Sequence, residues 1–332
     1  MGNFFLYICQ PSPKIQNIPN SLSYSSIPRL DDKYKDLSYE KLQKIINQTI
    51  IYIKKYKKNK DFSYDNYKKE FEILEENVDD VIHIQCLLDG FKELCRYSDI
   101  KTYVHNNLEI NTEKKYINAS PINIKNDNYF IATQGPKPNT IEDFWTMIEQ
   151  YNCNIIIMLC KLKELGVEKC ALYWDGNTKN FSIELLSEKE IKFDETIIIE
   201  RTIKLINNLN KNEKTIIQLH YMGWPDHGIP NIKKTFNTFL YIIGEIDKLK
   251  GNGPGVVHCS AGVGRTGTFI SMYFLHKEIM AQINDNNLKT INFSVFNMVR
   301  KLKEMRLYMV QNSEQYKFIY DFINYLLMEY NK

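Results

Sequence analysis

No excess of either charge runs through the 332 residues: 43 Lys and Arg stand against 40 Asp and Glu. The strongly basic surface that nucleic-acid binding calls for is therefore missing, and no nucleic-acid partner is expected. Cysteine is sparse and unpatterned. The seven thiols (Cys9, Cys86, Cys95, Cys153, Cys160, Cys170, Cys259) are odd in number and form no Cys-x-x-Cys or Cys/His cluster at zinc-ligand spacing. This pattern argues against a disulfide scaffold and a zinc site, and points to buried thiols in a reducing, cytoplasmic compartment. No metal and no other cofactor are expected. Near the start the longest apolar run, Phe4 to Cys9, is far short of the roughly 20 residues of a membrane-spanning helix. Met1-Gly2-Asn3 resembles the start of a myristoylation signal, but Leu6 stands where that pattern wants Ser or Thr. Acylation of Gly2, with Cys9 as a second site, would be the one route to a membrane; an unmodified irregular terminus is the preferred reading.

What is present is an ordinary globular composition, 43% hydrophobic and 25% charged, with length enough for a large core. Pro11, Pro13, Pro19 and Pro28, with Ser and Asn between them, mark residues 1–36 as an irregular extension. From residue 37 the texture changes. Leu42, Ile45, Ile46, Thr49 and Ile53 recur at helical spacing, and Tyr67, Phe71 and Leu74 suggest a second helix. Short apolar runs bounded by turn residues then read as strands: Tyr129 to Ala132, Asn154 to Leu159, Thr196 to Ile199, Thr215 to Leu219 and Gly255 to His258. The end is helical, with Val295, Val299, Leu302 and Met305 on one stripe and Ile319, Ile323 and Leu326 on another. Residues 37–332 are thus expected to form one α/β (α+β) domain built on a single sheet.

The most informative segment runs from Val256 to Thr268: a β-type run ending at His258, then Cys259-Ser260-Ala261-Gly262-Val263-Gly264-Arg265-Thr266, then a helical run. Small residues let successive backbone N–H groups point inward, and the helix that follows adds its unpaired N–H groups and positive dipole end. A tetrahedral dianion fits such a bowl. The same field favours the thiolate of a cysteine at its rim, which is the nucleophilic form. Arg265, six positions on, can return to the mouth and hold two phosphoryl oxygens with its planar fork. A nucleotide P-loop fits less well, since the Lys-Ser/Thr ending is absent. Rhodanese-like sulfur transfer is a distant alternative, and a buried thiol in a tight strand-to-helix turn is the plain structural one.

His258 to Gly267 resembles the signature loop of the tyrosine-specific, cysteine-dependent protein tyrosine phosphatases. Further motifs agree in order: Tyr116-Ile117-Asn118-Ala119-Ser120, Thr133-Gln134-Gly135-Pro136, Phe144-Trp145, Lys169-Cys170-Ala171-Leu172-Tyr173-Trp174, Trp224-Pro225-Asp226-His227-Gly228, and Gln311 with Gln315. The resemblance covers about residues 60 to 330 and implies a highly twisted mixed sheet flanked by helices, with the loop between a strand and a helix. It implies Cys259 as nucleophile, Arg265 as phosphate clamp and Asp226 as general acid and later base, on a mobile loop that Trp224 begins. Ser260, Ala261, Gly262, Val263 and Gly264 would line the bowl, Thr266 would bond the departing sulfur, and His258 would orient the loop from beneath. Gln311 and Gln315 would position water, Glu164 and Lys169 would support the site, and Tyr97 and Asp99 would receive phosphotyrosine. The partners implied are phosphotyrosine-containing proteins. Three residues depart from the pattern: Cys95 replaces a usual Asn, Ser98 a frequently basic residue, and Asp175 a frequent Pro. Two competing functions remain in view, an inert phosphotyrosine-binding module and a phosphoinositide phosphatase. The second calls for basic residues in the bowl that Ser260 to Gly264 do not supply.

Overall fold

The computed structural model describes residues 50–52, 64–75, 91–103, 106–110, 115–125, 128–193, 195–225, 228–284 and 290–330. Residues 1–36, with Gly2 and Cys9, lie outside them, as does Asp226. Eight strands form one mixed sheet: β1 (Ala119–Lys125), β2 (Asn128–Thr133), β3 (Ile155–Met158), β4 (Gly176–Asn177), β5 (Phe181–Phe193), β6 (Thr196–Asn207), β7 (Glu213–Tyr221) and β8 (Gly255–His258). Their order is β1-β2-β8-β3-β7-β6-β5-β4. The pairings β2-β8, β8-β3 and β3-β7 are parallel, and those on either side are antiparallel. Parallel strands covered on both faces read as unbroken apolar runs. That is why Ile155–Met158 and Gly255–His258, buried at every position, were legible.

Six helices flank the sheet among the described residues: α1 (Tyr64–Glu75), α2 (Ile141–Gln150), α3 (Ile232–Leu249), α4 (Gly264–Asn284), α5 (Val295–Met305) and α6 (Ser313–Tyr330). Helix α4 is buried almost all round, from Gly264 to Leu275, as a core helix must be when it lacks a polar face. It follows β8 directly, so the Cys259 loop joins a buried strand to a buried helix. Helices α3 and α5 open on side-chain caps: Asn231 accepts from Lys233 N at 3.0 Å and Ser294 from Asn297 N at 3.1 Å.

One expectation needs revision, and one long strand was not anticipated. The helical spacing read from Leu42 to Ile53 fails at Ile50–Tyr52, which pair antiparallel with Thr290–Asn292. Two β-branched residues and an aromatic suit a pleated strand better than a helix. The rest of that stretch lies outside the described residues. Strand β5 went unread: Phe181, Ile183 and Leu185 alternate with polar residues only at its start, and Glu188, Lys189 and Glu190 crowd its exposed half.

Helix α1 is tied to α6 by a buried carboxylate. Glu70 Oε2 accepts from Tyr316 Oη at 2.7 Å and from Tyr320 Oη at 2.8 Å, while its Oε1 has no partner. Burial raises the Glu70 pKa, against the two tyrosine hydrogen bonds, which lower it. The native state therefore holds this proton more tightly than the unfolded chain. Its contribution to stability falls as pH rises above the ordinary value of 4.5. Denaturant midpoints followed from about pH 4 to about pH 7 should show wild type losing ground to Glu70→Gln as pH rises; parallel curves would contradict this.

Candidate active site

Strand β8 ends on His258, and the chain turns through Cys259–Val263 into α4. Gly262 sits at φ +73°, where a Cβ would lie 2.1 Å from the Thr133 carbonyl oxygen and 2.3 Å from its carbon. Glycine is thus required twice over, for the left-handed backbone and for the space. Cys259 Sγ, buried, accepts from Gly262 N and from Thr266 Oγ1, both at 3.3 Å. Ser260 bridges to the walls: Gly135 N donates to its carbonyl at 2.9 Å, and its hydroxyl donates to Lys169 O at 3.0 Å.

What aims the loop inward is a residue that sequence reasoning missed. Arg306, with no accessible surface, donates from Nε to Gly262 O (2.9 Å) and from Nη2 to Ala261 O (3.2 Å). It also bonds Ser120 Oγ (3.2 Å) and Asn118 Oδ1 (2.7 Å). Drawing two loop carbonyls downward turns the opposite edges of those peptides, the N–H groups, toward the bowl. Burial lowers the Arg306 pKa to about 10, so it stays cationic at neutral pH. Nothing in the sequence marked it, for Arg300, Lys301 and Lys303 precede it in the same run of basic residues.

Arg265, in the first turn of α4, is gripped by Glu164 through Nη1–Oε1 at 2.5 Å and Nη2–Oε2 at 2.8 Å. Burial is the largest single influence and opposes its charge, but the Glu164 hydrogen bonds together with the charges of Cys259, Glu164 and Cys160 make the net shift upward. Its Nη1 also reaches Leu159 O and its Nη2 reaches Pro225 O, both at 3.2 Å. Pro225 precedes Asp226, and on the other side Trp224 Nε1 donates to Gly228 O at 3.3 Å. Pro225 and Gly228 therefore lie against Arg265 and the buried Trp224, while Asp226 and His227 are outside the described residues.

The remaining candidates converge from separate elements. Tyr97 Oη is 2.8 Å from Ser260 Oγ, so its ring stands at the edge of the bowl; Asp99 is exposed two residues on. Arg96 secures that segment through its own N to Gln134 Oε1 (2.8 Å) and its guanidinium to Gly135 O (3.0 Å) and Pro136 O (2.7 Å). Cys95, where Asn is usual, takes up an amide partner all the same: its Sγ accepts from Asn118 Nδ2 at 3.3 Å. A Cβ on Gly264 would meet Gln311 Oε1 at 2.7 Å and Gln315 Nε2 at 2.9 Å, which puts both glutamines over the start of α4. Gln315 Oε1 is engaged by Gln311 N at 2.8 Å. Beneath, buried His258 has Nδ1 3.1 Å from Cys259 O and Nε2 2.7 Å from Tyr173 Oη, and desolvation lowers its pKa to about 4. Among the described residues no group of three or more His, Cys, Asp or Glu could hold a metal ion.

A family model described as protein-tyrosine phosphatase matches residues 91–325. The chain belongs to the protein-tyrosine phosphatase family. Among its relatives, tyrosine-protein phosphatase non-receptor type 20 of Rattus norvegicus is 35% identical over 237 residues, 69% of this chain and 53% of that protein. Tyrosine-protein phosphatase 2 of Schizosaccharomyces pombe is 37% identical over 247 residues, 70% of this chain and 33% of that protein. The aligned part of this chain spans about half the length of the first of these relatives. The crystal structure of the catalytic domain of human protein tyrosine phosphatase non-receptor type 18 matches with a TM-score of 0.70 at 28% identity, covering 79% of this chain and 96% of that one. The mixed sheet flanked by helices is the architecture of this family's catalytic domain.

Within that family fold, Gly262→Ala should misplace the bowl's donors by something near 1 Å, a displacement that costs activity about 100-fold. Gly166→Ala supplies the control, since Gly166 has φ +79° but open space around its Cβ position. Similar activity for the two variants would show that the contact with Thr133 is unimportant.

Proposed function

We propose that the chain hydrolyses phosphotyrosine in proteins through a phosphocysteine on Cys259. The observation that carries this reading is the pair of donors, Gly262 N and Thr266 Oγ1, aimed at a buried sulfur beside a braced guanidinium. The thiolate attacks phosphorus, and the bond from phosphorus to the tyrosyl oxygen breaks with its electron pair going to oxygen. Asp226 gives that oxygen its proton. Water, oriented by Gln311 and Gln315, then attacks the phosphocysteine while the Asp226 carboxylate takes its proton. The sulfur–phosphorus bond breaks, returning the thiolate and releasing phosphate. Arg265 and the loop N–H groups stabilise the equatorial oxygens in both steps.

Tyr97 at the rim supports selection for phosphotyrosine: an aromatic wall makes a slot too deep for phosphoserine to reach Cys259. Phosphotyrosine proteins as partners agree with the human type 18 enzyme, which has been solved in complex with HER2 phosphopeptides. With Ser98 exposed where a basic residue is frequent, the preference for acidic residues beside the phosphotyrosine should be weak. The same proposal takes 37–332 as the catalytic unit behind an irregular 1–36 extension and puts the protein in the cytoplasm, with signalling as its setting. The relatives' non-receptor names support that location. Among the described residues no helix is long and apolar enough to cross a membrane.

Cys259→Ser should lose turnover but keep its grip on a phosphotyrosine peptide, read by calorimetry, because the bowl and Arg265 persist. Turnover within about tenfold of wild type would rule out the covalent route. Asp226→Ala should lower kcat on phosphotyrosine by about 10²–10⁴ at little change in KM, and much less on an aryl phosphate whose phenol is already acidic. Equal losses on the two substrates would assign the proton to another group.

A further inference from the structure

Behind the signature loop a buried chain of hydrogen bonds links residues on β6, β7 and β8. Arg201 on β6 donates from Nη1 to Gln218 Oε1 on β7 at 2.7 Å. Gln218 Nε2 lies 2.7 Å from Tyr173 Oη, and Tyr173 Oη lies 2.7 Å from His258 Nε2 at the end of β8. His258 Nδ1 is 3.1 Å from the carbonyl oxygen of Cys259. Gln218 and His258 have essentially no accessible surface, and Tyr173 is 1% exposed.

The two ends of this chain fix every proton in it. A guanidinium has donors only, so Gln218 must present its oxygen to Arg201 and its NH₂ to Tyr173. A carbonyl accepts only, so His258 carries hydrogen on Nδ1. Its Nε2 is then a lone pair in the neutral ring that burial enforces. Tyr173 therefore accepts from Gln218 and donates to His258. The sulfur of Met158, 3.9 Å from both Gln218 Nε2 and Tyr173 Oη, is too distant and too weak an acceptor to compete.

Arg201 is held at the head of the chain from three sides. Its Nε bonds Glu188 Oε2 at 2.5 Å, its guanidinium carbon lies 4.2 Å from the Trp174 ring centroid, and Nη1 is also 3.1 Å from His220 Nδ1. That last contact makes His220 an acceptor at Nδ1 and a donor at Nε2, which lies 2.8 Å from Cys160 O.

We propose that Arg201 and Gln218 are positioning residues for the reaction: with Tyr173 they impose one proton order on a buried chain that ends on the carbonyl of Cys259. The kinetic consequence rests on the phosphocysteine reading; the proton order does not. Hydrogen bonds in a common direction polarise one another, by roughly 10–30% per bond. The last of them, on the Cys259 carbonyl, draws electron density from the peptide whose N–H belongs to Ser260. Arg201 thereby strengthens a donor of the bowl from the far side of β7.

Imidazole ¹⁵N spectra of wild type and of Gln218→Glu test this, with kcat and KM on phosphotyrosine peptide alongside. Glutamate has the size of glutamine but no donor, so its carboxylate accepts from both Arg201 and Tyr173. Tyr173 then turns a lone pair toward His258 Nε2, and that nitrogen must be protonated while Nδ1 stays bound to Cys259 O. The expected result is a neutral, Nδ1-protonated His258 in wild type near pH 7 and a doubly protonated His258 in the variant. A kcat lower by about tenfold at unchanged KM should accompany it, the mark of an interaction made in the transition state. Gln218→Met, which interrupts the chain without reversing it, should leave His258 neutral and cost less.

A wild-type His258 protonated on Nε2 overturns the proposal whether or not either variant folds. A His258 spectrum unchanged in Gln218→Glu also overturns it and reduces Gln218 to packing. Should His258 respond as expected while Cys259→Ser stays active, the proton order stands and the phosphocysteine reading falls.

Discussion

A guanidinium with no accessible surface, bonded to four neutral acceptors, holds the candidate site in shape. Taking such an ion out of water costs several kcal/mol even after relaxation. Nothing repays that cost except the hydrogen bonds Arg306 makes and whatever negative charge lies nearby. Two of those bonds fall on Ala261 and Gly262 carbonyls, so the loop cannot turn its oxygens into the bowl without stranding a buried cation. The bowl is therefore a surface of donors, and because Arg306 bonds only neutral acceptors among the described residues, an anion seated there would be its countercharge.

The other charges around the loop are arranged as braces. Arg265 meets Glu164 in two parallel hydrogen bonds, geometry that fixes a planar fork better than a point charge could. Glu164 belongs to a short hairpin, Lys163–Glu164 with Val167–Glu168, whose far strand reaches Arg96 through Glu168 Oε1 at 3.3 Å. One hairpin thus touches both Arg265 and the segment that carries Tyr97. Arg265 in turn reaches the backbone just before Asp226. Under the proposed mechanism, one side chain thus joins the phosphate clamp to the backbone that leads to the general acid.

Much of the fold was readable because its central strands are buried on both faces and its last helices carry clear apolar stripes. Strand β5 escaped because half of it faces water with charged side chains, and Ile50–Tyr52 because three residues cannot display a period. In the site, Cys259, Thr266 and Arg265 were legible together since a loop and one helical turn hold them within eight residues. Glu164 and Gln311 came only with the family resemblance, for nothing local tells a bracing carboxylate from a surface one. Arg306, Arg201 and Gln218 gave no signal at all. Their partners lie 44, 17 and 45 positions away, and only the sheet brings them together.

The central claim is that Cys259 carries the phosphoryl group between substrate and water. Rapid acid quench of the enzyme turning over a phosphotyrosine peptide, followed by mass spectrometry of its digest, tests that directly. The account predicts one added phosphoryl group on the peptide containing Cys259, more abundant when Gln311→Ala slows its hydrolysis. Turnover with no phosphorylated Cys259 peptide in either protein, or with the group on another side chain, would contradict it.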